Sequence, residues 1–315
     1  MPIPFDPEIG AVLAAAAAAA GDDIPVAERG DALALRAITN ETLRLVYGQA
    51  PGSATVSTRD VDVEADDGTI VTARWYVPEG TTSGSAVVYV HGGGLICGSV
   101  ELYDQVVRYY SETTGVPFLS VEYRLAPEHT GERLARDAYS ALAWLHEHAL
   151  EFGVDPERIA IMGDSGGGAV AAGAAILARN DGTPLARQIL IYPMLDDRNV
   201  EPDQELAATA TWTYDNNFTG WNALLPANTT EAVSEIASPA RLVDYAGLAP
   251  AFIDVGDLDI FRDESITYAH NLLRAGVSCE LHVRAGAPHA FEWLAPAAQV
   301  SRQAISDRIQ VIRNL

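Results

Sequence analysis

From residue 86 onward, short apolar runs alternate with longer stretches in which apolar positions recur every three or four residues. The runs Ala86–Val90, Ile159–Met162, Gln188–Tyr192, Ala251–Gly256 and Cys279–Val283 predict strands. Helical patterns lie between them, among them the small-residue run Ala169–Ala178, the segment around Trp144 and Leu145, and the spacing Ile266, Ala269, Leu272, Leu273. That alternation predicts an α/β domain with a mostly parallel central sheet flanked by helices. Ahead of it, Asp60–Glu64 and Thr69–Val77, joined by Ala65-Asp66-Asp67-Gly68, predict an antiparallel hairpin.

Two stretches break the alternation. Residues 1–55 carry an alanine run at 14–20 and a helical pattern over Leu33–Tyr47. Residues 196–236, acidic and containing Trp and Asn, are inserted between the strand Gln188–Tyr192 and Ser238-Pro239. The alternating core is then residues 56–195 with 237–315, one domain.

Composition narrows the picture. With 315 residues, 48% of them apolar, the chain can bury a large core. A formal charge of −23 disfavours nucleic acid and anionic membrane surfaces as partners, and would repel acidic substrates. Cys97 and Cys279 form neither a disulfide framework nor a metal-ligand spacing, so no metal is expected. The apolar run Ala11–Ala20 follows acids without Lys or Arg, unlike a secretory signal, and is too short to span a bilayer. A cytoplasmic address is expected.

The strongest chemical signal is Gly163-Asp164-Ser165-Gly166-Gly167, placed between an apolar run and a small-residue helix. In such a strand–turn–helix, small neighbours allow a strained turn that lifts the serine Oγ clear of the sheet. Upstream, the strand Ala86–Val90 runs into His91-Gly92-Gly93-Gly94, a loop whose N–H groups can turn toward a ligand. The loop lacks the Lys-Ser/Thr ending of a nucleotide-binding loop. In a hydrolase fold it supplies donors to the oxyanion, together with the residue after the nucleophile, here Gly166.

A serine nucleophile needs an imidazole to take its proton and a carboxylate to orient that imidazole. Of the downstream histidines, His270 lies in a helical pattern and His282 in a strand-like alternation, whereas His289 lies in a loop after that strand. For the carboxylate, Asp254 falls inside a predicted strand, and Asp263 and Glu264 read as first-turn helix acids. Asp257 and Asp259 both remain, and spacing does not choose between them. His146 and His148 are expected on a solvated helix face.

These residues resemble the bacterial hormone-sensitive-lipase-like esterases of the α/β-hydrolase superfamily. The resemblance runs through His91-Gly92-Gly93-Gly94, Tyr123–His129, the serine motif, Ser238-Pro239-Ala240, Asp259–Glu264 and His289-Ala290-Phe291, in the family's order. It implies the α/β-hydrolase fold with a helical cap built from residues 1–55 and 196–236. It selects Asp259 over Asp257, giving a Ser165–His289–Asp259 triad. It assigns Gly93, Gly94 and Gly166 to the oxyanion hole, with His91 and Gly92 supporting the loop. Glu128 and His129 are expected to shape the site floor, and Asp164 to make a structural hydrogen bond beside the serine. Leu95, Asp164, Trp212, Tyr214 and Phe218 are the candidate pocket residues, with Trp221 nearby. Two departures concern that pocket: Leu95 stands where the family often has an aromatic, and Gly166 where it often has alanine.

The implied activity is hydrolysis of short- to medium-chain carboxylic esters through an acyl-enzyme, on a small-molecule substrate and without a cofactor. An amidase or formamidase would use the same fold and triad. A non-catalytic small-molecule receptor, as in plant gibberellin receptors, would be marked by loss of the histidine, and His289 is present. The resemblance also implies pairing of two copies through the last strand, Ser278–Val283.

Overall fold

The computed structural model describes residues 3–20, 25–48, 50, 53–81, 84–225 and 232–315. The expected cap segments 1–55 and 196–236 include residues 1, 2, 21–24, 49, 51, 52 and 226–231, which lie outside the described residues.

Two helices, α1 (Pro7–Ala20) and α2 (Ala32–Tyr47), precede the predicted hairpin, which forms as β1 (Val56–Glu64) and β2 (Ile70–Pro78). The alternation continues through β3 (Ala86–Val90), α3 (Asp104–Thr114), β4 (Phe118–Val121), α4 (Arg133–His148), β5 (Ile159–Asp164), α5 (Gly166–Asp181) and β6 (Arg187–Ile191). After the short α6 (Gln204–Ala207) and α7 (Tyr214–Leu224) it resumes as β7 (Ala251–Gly256), α8 (Arg262–Arg274), β8 (Cys279–Arg284), α9 (Phe291–Leu294) and α10 (Gln299–Arg313).

The eight strands form one sheet in the order β1-β2-β4-β3-β5-β6-β7-β8. The β1–β2 and β2–β4 pairs are antiparallel and the rest are parallel. Strand side chains alternate between two cores. Ala86, Val88, Val90, Ile159 and Ile161 pack on the side of α4 and α5, whereas Val87, Tyr89, Ala160, Met162 and Ile189 pack on the side of α3 and α10. The alanines of α5 are buried on every face, so that helix lies deep against the sheet.

Strand order reverses at β3, whose neighbours are β4 and β5. Ligand sites in open α/β sheets form at such a reversal, beyond the strands' carboxyl ends. Here the register Val90↔Gly163 brings the loop after β3 alongside the turn after β5.

Of the expected N-terminal cap segment, α2 reaches the glycine loop: Arg36 donates to the carbonyls of Ile96 (2.5 Å) and Ala126 (2.7 Å) and pairs with Glu128. Glu128 thus tethers α2, and Arg36 holds its carboxyl down at about 2. In contrast, Ile9 of α1 is buried with Phe291 and Ala304 at the C-terminal end of the chain. His146 departs from the solvated position expected of it, being half-buried, and His148 stacks on Trp144 with centroids 4.4 Å apart. Among the described residues no helix is long and apolar enough to cross a membrane.

Candidate active site

Ser165 occupies the turn between β5 and α5 at φ +57°, ψ −123°, a conformation rarely open to a residue with a side chain. The turn is held from β6: Ser165 N–H donates to Ile191 O at 2.9 Å, and Met194 N–H donates to Ser165 O at 3.0 Å. Strain at the apex is what presents Oγ above the sheet.

His289 arrives on the loop after β8 and Asp259 on the loop after β7. The imidazole Nε2 lies 2.9 Å from Ser165 Oγ, and Nδ1 lies 2.8 Å from Asp259 Oδ2. With its proton on Nδ1, the neutral ring donates to Asp259 and accepts from the serine hydroxyl. Asp259 also accepts the Phe261 N–H at 3.0 Å, which fixes the carboxylate plane. All three side chains are buried, Asp259 at 1% exposure. Asp257 points elsewhere and accepts Gly286 N–H at 2.7 Å, steadying the start of the histidine loop.

The glycine loop packs against the serine turn with no room for side chains. A Cβ at Gly166 would lie 2.8 Å from Gly94 N and 2.6 Å from Leu95 N, so the backbone nitrogens of the glycine loop lie against the residue after the serine. Beneath the loop, His91 is fully buried, donates through Nδ1 to Gly92 O at 2.9 Å, and stacks on Tyr123. Burial pulls its pKa down to about 4, so it stays neutral and supports the loop. The Cys97 thiol donates to Gly93 O, and burial pushes it up to about 12.

Asp164 is buried beside the serine and accepts hydroxyl donors from Tyr89 (2.5 Å) and Tyr103 (3.1 Å). Burial raises its carboxyl to about 6. These hydrogen bonds turn both carboxyl oxygens of Asp164 to the tyrosines.

Among the other pocket candidates, Trp212 comes nearest the chemistry. A Cβ on Gly94 would fall 2.4 Å from Trp212 Cζ2, so the indole lies directly on the glycine loop. The adjacent Thr211 hydroxyl donates to His289 O at 2.8 Å. The Leu95 side chain is buried in the core, and its backbone, not its side chain, meets Gly166. Tyr214 lines a cavity of about 380 Å³ with Asp203, Ile260 and Glu264. Phe218 lies under the Arg29 guanidinium, 4.0 Å from it, within the packing between the N-terminal segment and α7.

Glu264 lies in the first turn of α8, as its pattern predicts; it is also buried, accepts the Leu195 N–H at 2.5 Å and Asn199 Nδ2 at 2.9 Å, and its pKa is raised by that burial. Sequence reading missed Tyr192, Glu292 and Arg308, which pack behind His289; the one available signal was a lone acid between Phe291 and Trp293. Among the described residues no group of three or more His, Cys, Asp or Glu is placed to hold a metal ion.

The family described as alpha/beta hydrolase fold matches residues 87–293. An ethyl acetate hydrolase of Pseudomonas putida is 30% identical over 264 residues, covering 80% of each chain. The carboxylesterase NlhH of Mycobacterium tuberculosis is 37% identical over 220 residues, covering 67% of this chain and 69% of its own. Among solved structures, a bacterial heroin esterase superposes with a TM-score of 0.87 at 33% identity, over 98% of this chain and 97% of that one.

Proposed function

This chain belongs to the alpha/beta-hydrolase-fold family, and on that premise we propose that it is a carboxylic ester hydrolase working through an acyl-enzyme on Ser165. The observation that carries this reading is the hydrogen-bond pair on His289, 2.9 Å to Ser165 Oγ and 2.8 Å to Asp259 Oδ2. Relatives named for ester hydrolysis support the same chemistry.

In the first half-reaction Ser165 Oγ attacks the ester carbonyl while its proton passes to His289 Nε2. Asp259 holds the ring and stabilises the imidazolium that forms. Negative charge collects on the former carbonyl oxygen, and the N–H groups of Gly93, Gly94 and Gly166 are its donors, each contributing roughly 3 kcal/mol. Gly166 opens α5, so the helix N-terminus adds positive potential at that point. The C–O bond then breaks, His289 returns its proton to the leaving alkoxide, and the alcohol departs. Water repeats the sequence on the acyl-enzyme, releasing the acid and restoring Ser165.

Trp212 closing on Gly94 supports short acyl groups as the preferred substrates. The reading includes no membrane or nucleic-acid partner, in keeping with 43 acidic against 20 basic residues, and keeps the cytoplasmic address expected from sequence.

The test is a p-nitrophenyl ester series from acetate to palmitate on the wild type and Ser165→Ala. A maximum at short chains is expected, with a loss of several orders of magnitude in the variant. Retention of more than about a tenth of wild-type turnover by the variant would overturn the assignment of Ser165.

A further inference from the structure

The His289 ring is held by more than its two hydrogen bonds. Tyr192 meets it edge to face, with centroids 4.6 Å apart and 65° between planes, and Phe261 does so at 5.2 Å and 84°. Tyr192 directly follows β6 and adopts φ +35°, a strained choice for a bulky residue. Its N–H donates to Asp254 O at 2.6 Å, while its neighbours Ile191 and Met194 hold the backbone of Ser165. One turn therefore touches both the nucleophile's backbone and the histidine's ring.

A chain of buried groups fixes that turn from behind. The Tyr192 hydroxyl donates to Glu292 Oε1 at 2.7 Å, and the same oxygen accepts Arg308 Nη1 at 2.5 Å. Arg308 Nε donates to Asp254 Oδ2 at 2.9 Å, and Arg284 Nε donates to Asp254 Oδ1 at 2.7 Å. Tyr192, Glu292, Arg308 and Asp254 are all 1% exposed or less. A phenylalanine at 192 over an apolar floor would fill the same space without burying three charges. Glu292 lies three residues after His289, and Ala290 between them also has positive φ, +58°. The Tyr192–Glu292 hydrogen bond thus joins the loop that carries the base to the turn whose ring faces the base.

Resting on the assignment of His289 as the base for Ser165, we propose that Tyr192 is a positioning residue for the hydrolysis. Its hydroxyl, anchored on Glu292, which Arg308 holds in turn, keeps the imidazole at the angle that serves Asp259 and Ser165 together. A base that must take a proton and return it needs the same orientation before and after each transfer, so losing the anchor lowers turnover and not substrate binding.

Tyr192→Phe removes the hydroxyl and keeps the ring. We expect kcat on p-nitrophenyl acetate to fall about tenfold with KM within about twofold of wild type. The low-field proton resonance of His289 Nδ1–H, hydrogen-bonded to Asp259, should shift or broaden. Adding Glu292→Gln to Tyr192→Phe should lower kcat no further than the more damaging single change, because both remove one constraint. Wild-type kcat with an unmoved imidazole resonance in Tyr192→Phe would overturn the proposal, as would a loss confined to KM or losses that multiply in the double variant. Should Glu292→Gln not fold, Tyr192→Phe and its resonance decide alone. If the wild type cleaves no ester, the hydrolase reading falls, while the imidazole resonance still tests the role of Tyr192.

Discussion

Buried carboxylates flank the candidate active site on two sides, Asp164 on one and Asp254 with Glu292 on the other, and the two sides accommodate them in opposite ways. Beside Ser165, Asp164 is met by the hydroxyls of Tyr89 and Tyr103, with Tyr47 beyond them. Behind His289, Asp254 and Glu292 are met by the guanidinium groups of Arg308 and Arg284. Hydroxyl dipoles do not offset the burial of Asp164, and its carboxyl rises to about 6. A cation instead lets two acids share one dry compartment as an ion network. The serine side of the site thus carries a titratable support and the histidine side a charge-paired one.

The comparison breaks first at Arg308. Arg308→Met leaves Asp254 and Glu292 buried without their shared cation, and should cost about 3–5 kcal/mol of stability, read as a lower urea midpoint. A change below about 1 kcal/mol would mean that the two acids do not depend on the cation. Next comes pH. Below about pH 4, Asp164 is protonated in both folded and unfolded chains, and its contribution to stability is fully present. As pH rises through about 6 the folded carboxyl must ionise in its buried site, after the unfolded one has already done so. The wild type should therefore lose roughly 3 kcal/mol relative to Asp164→Asn between about pH 4 and pH 7, measured by urea unfolding at each end. A difference that does not vary with pH would place Asp164 among the ordinary carboxylates. The smallest effect sharpens the contrast: Tyr89→Phe removes the 2.5 Å donor to Asp164. It should push that carboxyl higher still and cost about 2 kcal/mol at alkaline pH, but less where Asp164 is protonated, because hydrogen bonds to charged groups are the stronger ones.

The residues legible in the sequence are those whose role is a demand on the backbone. The serine turn and the glycine loop need small residues next to apolar strands, and that requirement is written locally, so both motifs and their side-by-side placement could be read. Asp257 and Asp259 could not be separated by spacing, because both occupy one loop. Direction separates them, one accepting Gly286 N–H and the other facing His289. The aromatic content of the insertion 196–236 was evident, but not which ring faces what: Trp212 lies on Gly94 while Phe218 lies under Arg29. Tyr192, Glu292 and Arg308 escaped because each looks ordinary alone, a strand-end aromatic, an acid in a short helix and a basic residue in an amphipathic helix. Their meaning arises only when a 100-residue separation between Tyr192 and Glu292 closes to a hydrogen bond.

The hold of Thr211 and Trp212 on the catalytic loops bears on how such enzymes diverge. One residue donates to the carbonyl of His289 and the next lies on Gly94. On the proposed reading, the segment expected to select the substrate is thus bolted to the loops that carry the reacting groups. A cap transplanted from a relative would have to reproduce those two attachments as well as a new pocket wall. On the proposed reading, a substitution at either contact changes turnover together with substrate range.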